Sequence, residues 1–207
     1  TEYTHTTKGC RFGGAYIMKK TLRRIGCLLA AISVSALSLL ALSGCDKEDS
    51  GWYPAGMKLA SNDRSEYRLY VPESWTVDMS TGVTSAYVGG SDRSNVSFMG
   101  MNLAGGGGVY NASEYWDKYK SDLESTLTDI KYDETTEDGL SLLLDETEAL
   151  KYSYTATVTG TEYHFMHVIC VRNGNVYMLT YTAIPAYYDA HMEEVQSIID
   201  NFSWVDD

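Results

Sequence analysis

The chain has 207 residues with 16 basic and 28 acidic side chains, a formal net charge of −12 and a sequence pI near 4.7. Six of the basic residues and one acidic residue precede Cys45, which leaves the part from Cys45 onward near −17. So acidic a body is repelled by nucleic acid and by anionic lipid headgroups, which excludes electrostatically driven binding to either.

Residues 1–17 carry no hydrophobic periodicity and precede a well-formed leader, so they are expected to be a non-native upstream extension. The leader, residues 18–44, opens on Met18-Lys-Lys-Thr-Leu-Arg-Arg and continues as an apolar run from Ile25 to Leu42. A run of this length, about 18 residues, sits at the lower limit for a transmembrane helix. Its Ser and Ala content and its ending, Leu42-Ser43-Gly44-Cys45, fit a lipoprotein signal with a lipobox instead. The expected chemistry is a diacylglycerol thioether of the palmitate class on Cys45, with cleavage before it. Two acyl chains suffice for stable membrane attachment. In bacteria with two membranes, an aspartate in the position of Asp46 usually signals retention at the inner membrane. The expected location is therefore the extracytoplasmic face of the cell membrane. Residues 45–56, acidic with Gly and Pro, read as a tether.

The domain, 57–207, begins with short strands at Met57–Ala60 and Tyr67–Val71, then a Pro72-Glu-Ser-Trp75 turn and Thr76–Met79. Thr84–Val88 and Asn95–Met101 are β-branched and aromatic, and Gly89-Gly90-Ser91-Asp92 between them signals a hairpin. Gly105–Gly108 reads as a plain loop. A phosphate loop would need a Lys-Ser/Thr pair, and Glu114, Asp117 and Asp122 crowd the helix that follows.

That helix is announced by Asn111 with Glu114 three residues on, a capping box. Tyr115, Tyr119, Leu123 and Leu127, with Trp116 alongside, form an apolar stripe that predicts a helix ending near Thr128. Strands follow at Ile130–Asp133 and Leu140–Leu144, then a meander, Glu148–Val158, Thr161–Arg172 and Asn175–Ala183, turning at Thr159-Gly160 and Asn173-Gly174. Leu150, Tyr152, Tyr154, Ala156 and Val158 share one face of the first of these strands, and Lys151, Ser153, Thr155 and Thr157 share the other. The pattern predicts a sheet with one buried and one wet face. A second helix is predicted over about Tyr188–Asp200, with Met192, Val195, Ile198 and Ile199 on one side. Phe202–Val205 closes the chain as a short strand or docked tail. The expected fold is α+β, an antiparallel sheet covered by two helices.

Several residues carry the chemistry of a site. His164 and His167 lie three apart in one strand and so point to opposite faces, which argues against a shared metal. His191 is expected to be a lone surface residue. Asp133-Glu134, Glu137-Asp138 and Asp145–Glu148 supply oxygen ligands of the kind calcium takes, without the spacing of an EF-hand, and are expected to be solvated loops. Cys170, alone within an apolar strand, is expected to be a buried structural thiol. Tyr152, Tyr154, Tyr163, Tyr177, Tyr181, Tyr187 and Tyr188 are either core or an exposed binding patch. No nucleophile elbow, Cys–His pair or zinc motif is present, so no catalytic residue, no metal ligand and no cofactor is assigned, and the chain is expected not to be an enzyme.

Tyr67-Arg-Leu-Tyr-Val-Pro-Glu-Ser-Trp75, Asn95-Val-Ser-Phe98, Glu114-Tyr-Trp-Asp-Lys-Tyr119, Tyr177-Met-Leu-Thr-Tyr181 and Asn201-Phe202 together resemble the PsbP and Mog1 fold family, which includes bacterial lipoproteins of the DcrB type. The likeness spans about Met57 to Val205. It implies an accessory or scaffolding role and no shared catalytic residues. The metal sites of the photosynthetic members have no matching motif here. The expected function is thus a non-catalytic lipoprotein, anchored to the membrane through Cys45, that engages another envelope protein and no nucleic acid. The alternative is an extracytoplasmic module for a small ligand or a cation such as calcium. Replacing Cys45 by Ala is expected to move the protein from the membrane fraction to the soluble fraction without unfolding it. Retention of acyl chains on the variant, read by mass spectrometry, would remove the lipobox assignment.

Overall fold

The computed structural model describes residues 53–80, 82–103 and 111–205. The lipobox Leu42–Cys45, the leader and the Gly105–Gly108 loop lie outside the described residues. Twelve strands are described: β1 Met57–Leu59, β2 Tyr67–Arg68, β3 Tyr70–Pro72, β4 Thr76–Asp78, β5 Thr84–Gly89, β6 Asp92–Asn102, β7 Thr128–Tyr132, β8 Leu140–Leu144, β9 Thr147–Val158, β10 Thr161–Arg172, β11 Asn175–Ala183 and β12 Ser203–Trp204. The helices are α1 Ala112–Glu124, α2 Pro185–Tyr188 and α3 Met192–Asp200, with a 3-10 turn Asp189–His191 joining the last two.

Eight strands form one antiparallel sheet in the order β4-β5-β6-β11-β10-β9-β7, with β8 pairing the same edge of β9 beyond β7. The meander from β8 to β11 is tightly connected. Asp145-Glu146, Thr159-Gly160 and Asn173-Gly174 are two-residue turns with both φ angles positive. That is the type I′ geometry whose twist matches antiparallel strands. Asn173-Gly174 was legible in advance, but Asp145-Glu146 was not. The acidic run read as a solvated loop is instead this turn plus the first residues of β9, Thr147 and Glu148.

The strand read over Tyr67–Val71 is split at Leu69. Ser61 Oγ accepts the Leu69 N–H at 3.2 Å, and the Leu69 carbonyl accepts from Ala60 at 2.7 Å. The halves then serve different partners: β2 pairs β12, and β3 pairs β1. The helix read as ending near Thr128 stops at Glu124. The Ser125 and Thr126 hydroxyls donate to the Asp122 carbonyl at 2.7 and 3.0 Å, competing with the helical ladder.

The expectation of one wet face is overturned. α1 lies on one face of the sheet, where Trp116 stacks on Tyr152 at 4.2 Å between centroids and 11° between planes, and Tyr119 meets His167 edge-on. The α2–α3 segment lies on the other face, where Tyr188, Val195, Ile198 and Ile199 join Met166, Val168, Leu179 and Tyr181 in one core. The reason lies in β11. Its burial is continuous from Val176 to Ala183, so both sets of its alternating side chains need cover. Lys151, Ser153, Thr155 and Thr157 had marked β9, two strands away, as half-wet, yet Ser153 is buried. The α+β architecture with two helical covers stands, with one cover on each face.

α1 starts as its sequence dictates, with Asn111 Oδ1 accepting the Glu114 N–H at 3.0 Å. Its inner stripe is Ala112, Trp116, Tyr119 and Leu123. α2 has Pro185 at its first turn, where the missing N–H costs nothing. Trp116 is 3% exposed. Trp116→Ala is expected to cost about 3–5 kcal/mol in denaturant unfolding, the range for an aromatic removed from a packed core. A loss near zero would show that α1 is not held by its stripe.

Candidate interaction surface

The side chains best suited to chemistry are each held by packing or by hydrogen bonds. His167 is fully buried on β10. Its Nε2 meets the Tyr154 hydroxyl at 3.1 Å, and its Nδ1 meets Thr180 Oγ1 at 3.0 Å. Burial pushes its pKa down to about 3, so the ring is neutral. Burial also pushes the Tyr154 and Tyr119 hydroxyls up, so both stay protonated. His164 points to the opposite face and stacks on Tyr188 with 3.4 Å between centroids. The two histidines therefore part as their odd spacing requires. Cys170 is buried, and burial raises its thiol to about 12. Tyr152, Tyr154, Tyr177, Tyr181 and Tyr188 are buried, which places the tyrosine series in the core rather than in a surface patch.

His191 is not the lone surface residue expected. Its Nε2 lies 2.8 Å from Asp92 Oδ2, and its Nδ1 lies 2.6 Å from Glu194 Oε2. The Trp75 ring meets it edge-on at 5.8 Å. Partial burial alone would lower the His191 pKa, but hydrogen bonds to Glu194 and Asp92, and their charges, leave it raised. Asp92 is lowered, because bonds from Ser94 and His191 outweigh its own desolvation. The His191 ring thus ties the entry to α3 to the start of β6. Glu194, three residues on, is the signal that could have found this contact. Asp92, ninety-nine residues away, was not.

The acidic clusters do not converge. Asp133 accepts from its own loop, the Thr135 N–H and hydroxyl, at 2.9 and 2.7 Å. Asp145 Oδ2 accepts the Trp204 N–H at 2.6 Å, and Glu137 lies 3.8 Å from Lys120. Among the described residues, no three His, Cys, Asp or Glu side chains gather in a way that would hold a metal ion.

What the fold leaves open is on the α1 face. An open groove of about 830 Å³ runs between the first turn of α1 and the end of the sheet. Asn111, Ala112 and Ser113 form one wall. Ser141, Leu142 and Leu143 of β8 form the other, with Thr147 to Leu150 of β9 and Val171 of β10 between. Strand pairing sets the faces. Ser141 sits opposite Leu150 and Leu143 opposite Glu148, on the side that carries Tyr152 and Trp116. α1 is too short to cover this end. Four large apolar side chains among the described residues are more than a third exposed, and two lie on β8: Leu143 at 62% on the groove side and Leu140 at 47% on the opposite face. The sequence flagged Leu140–Leu144 only as a strand. Nothing in LSLLL says which leucines face water, because that depends on where α1 ends.

No protein-family profile and no curated protein matches the chain. Solved structures do. The chain resembles LpqN of Mycobacterium tuberculosis, a protein involved in cell envelope biogenesis, at 14% identity and TM-score 0.51, covering 68% of this chain and 83% of that one. Two others are a cyanobacterial PsbP from Synechocystis (12% identity, TM-score 0.49, 79% and 99% covered) and a protein of unknown function from Pseudomonas aeruginosa (17%, TM-score 0.47, 70% and 94%). The likeness to LpqN is one of fold. The α+β fold read from the sequence agrees with the likeness to LpqN.

The paired histidines make opposite pH signatures. The folded pKa of His191 lies above its ordinary value of about 6.5, so its contribution is complete below that pH and fades as pH rises through the raised value. The folded pKa of His167 lies below it, so its contribution is present above about pH 6.5 and is lost as pH falls toward 3. His191→Gln is expected to lower Tm by about 2–4 °C at pH 6, and by less at pH 9. His167→Gln is expected to lower Tm at pH 7 but to flatten its fall between pH 6.5 and 3. A His191→Gln deficit that stays constant from pH 6 to 9 would assign that residue to packing alone.

Proposed function

We propose that this chain is a non-catalytic lipoprotein, anchored through Cys45 to the extracytoplasmic face of the cell membrane, that docks another envelope protein on the groove beside β8. The observation that carries the docking role is the apolar end of the sheet that no described residue covers, where Leu143 stands exposed on the groove side of β8. Exposed apolar surface lining a groove, on a domain that buries most of its large side chains, marks an interaction site. The sequence Leu42-Ser43-Gly44-Cys45 supports the anchor. The shared fold with LpqN, itself involved in cell envelope biogenesis, supports an envelope role. The non-catalytic part is supported by the described histidines and Cys170, each already committed to packing or to hydrogen bonds.

A second reading, a small-ligand module, draws on the groove volume of about 830 Å³, which falls within the usual range for ligand sites, about 300–1,000 Å³. Glu148 is the one acidic side chain on its lining, which suits a neutral ligand better than a divalent cation.

The test is photocrosslinking in living cells, with the photoreactive amino acid placed at Leu143 of the lipidated protein and, as a control, at Asp200 on the far helix. One dominant envelope protein captured from the first position and not the second is the expected result. No adduct at either position would defeat the docking role.

A further inference from the structure

The groove is bounded on its outer side by an unfinished sheet. β8 pairs with β9 and with no other described strand, so its second edge is open. The turn Asp145-Glu146 makes Leu144 and Thr147 a hydrogen-bonded pair. In the alternating antiparallel ladder, Ser141 and Leu143 then direct their N–H and C=O groups away from β9. Native proteins blunt such edges with charge, proline or a bulge. β7, on the same edge of β9, follows that rule: it carries Asp129 at φ 54°, Lys131 and a register shift. β8 does not, because it is Leu-Ser-Leu-Leu-Leu, with neither charge nor proline.

The charges stand at its two ends instead. Exposed Glu134, Glu137 and Asp138 precede the strand, and exposed Asp145, Glu146 and Glu148 follow it. Nearby cations offset only part of this charge. Arg172 lies over the ring of Trp204, whose backbone N–H donates to Asp145. Lys120 is shared between Glu137 and the Tyr132 ring. Lys151 pairs with Leu140 in the ladder and so lies on the face opposite Leu143.

This arrangement selects among occupants. A second copy would set one β8 beside another and bring Glu137 and Asp138 against Asp145 and Glu146, or each group against itself, with carboxylates facing carboxylates in either direction. An anionic membrane surface meets the same repulsion. An extended polypeptide with Lys or Arg on both sides of an apolar core meets none of it. From these juxtapositions we infer that β8 is a strand-addition site: an extended segment of a partner protein, with an uncharged alternating core of about five residues and basic residues at both ends, completes the sheet beside Ser141 and Leu143 and lays alternate side chains into the groove. Because both ends of β8 are acidic, charge alone does not fix the direction of the added strand.

The inference rests on the docking role proposed above and adds the chemistry of the partner segment. The test uses the full chain purified in detergent micelles and an array of synthetic peptides. Each peptide has a Val-Thr-Val-Thr-Val core flanked on both sides by two Lys, two Ser or two Glu. Binding is expected to rank Lys above Ser above Glu, with more than a tenfold spread at low salt that narrows as salt rises. On binding the Lys-flanked peptide, the amides of Ser141 and Leu143 should gain protection from hydrogen exchange. Leu143→Pro removes an outward N–H while sparing the β9 ladder, and proline is tolerated at such edge positions. It is expected to cut binding more than tenfold with Tm unchanged. Should Leu143→Pro fail to fold, Glu137→Lys/Glu146→Lys provides the second test and is expected to reverse the flank ranking. Binding indifferent to flank charge, no gain of protection at the two amides, or a dimer that forms without peptide and is lost in Leu143→Pro would each overturn strand addition. A crosslinked partner at position 143 under any of these outcomes would leave the docking role standing and defeat only the edge geometry.

Discussion

Strand β11 must be dry on both sides, and most of the architecture answers that requirement. Val176, Met178, Thr180 and Thr182 face one way, and Tyr177, Leu179, Tyr181 and Ala183 face the other. All are buried. Each face needs its own helical cover, so α1 and the α2–α3 segment lie on opposite sides of one sheet. The covers attach by different means. α1 docks through aromatic stacking, Trp116 on Tyr152, where offset rings add about 0.5–1.5 kcal/mol beyond their buried area. The other segment docks through aliphatic side chains and through the Tyr181 hydroxyl, which donates to the Tyr188 carbonyl at 2.9 Å.

Two histidines have pKa values shifted in opposite directions by their surroundings. His167 is neutral because nothing charged lies close enough to offset its desolvation, and it works as a hydrogen-bond bridge between Tyr154 and Thr180. His191 is near the surface and meets two carboxylates, so its pKa is raised and its charged form is favoured. The contrast is one of environment and not of residue type, since both start from the same intrinsic pKa. It also shows why so many groups suited to chemistry can be present without making a site. Each is already committed to holding an element in place.

Much of the fold was legible because local signals agreed with the final structure. Asn111 with Glu114, Asn173-Gly174 and the alternation of Leu150 to Val158 each name a cap, a turn or a strand. What was not legible depended on contacts distant in the chain. Leu69 breaks a strand because Ser61 and Ala60 come to meet it. Asp92 meets His191 across ninety-nine residues. The exposure of Leu143 follows from the position of the first turn of α1, which strand periodicity does not encode. Asp145-Glu146 was missed because neither residue is a glycine or asparagine, the residues that turn chemistry normally advertises.

The connectivity also fixes an order of assembly. β8 to β11 are joined by two-residue turns, and hairpins of this kind close in about 1–10 μs. β6 must find β11 across the whole of α1 and four strands, with Asn102 reaching Asn175, and the entropy of closing a loop grows with its length. During N-to-C synthesis, β4, β5 and β6 emerge early and wait. Val96 and Phe98, both fully buried at the end, have no sheet to enter until β11 has left the ribosome. The half of the domain made first therefore completes its sheet only when the last long strand arrives, and until then Val96 and Phe98 lack the neighbours that bury them.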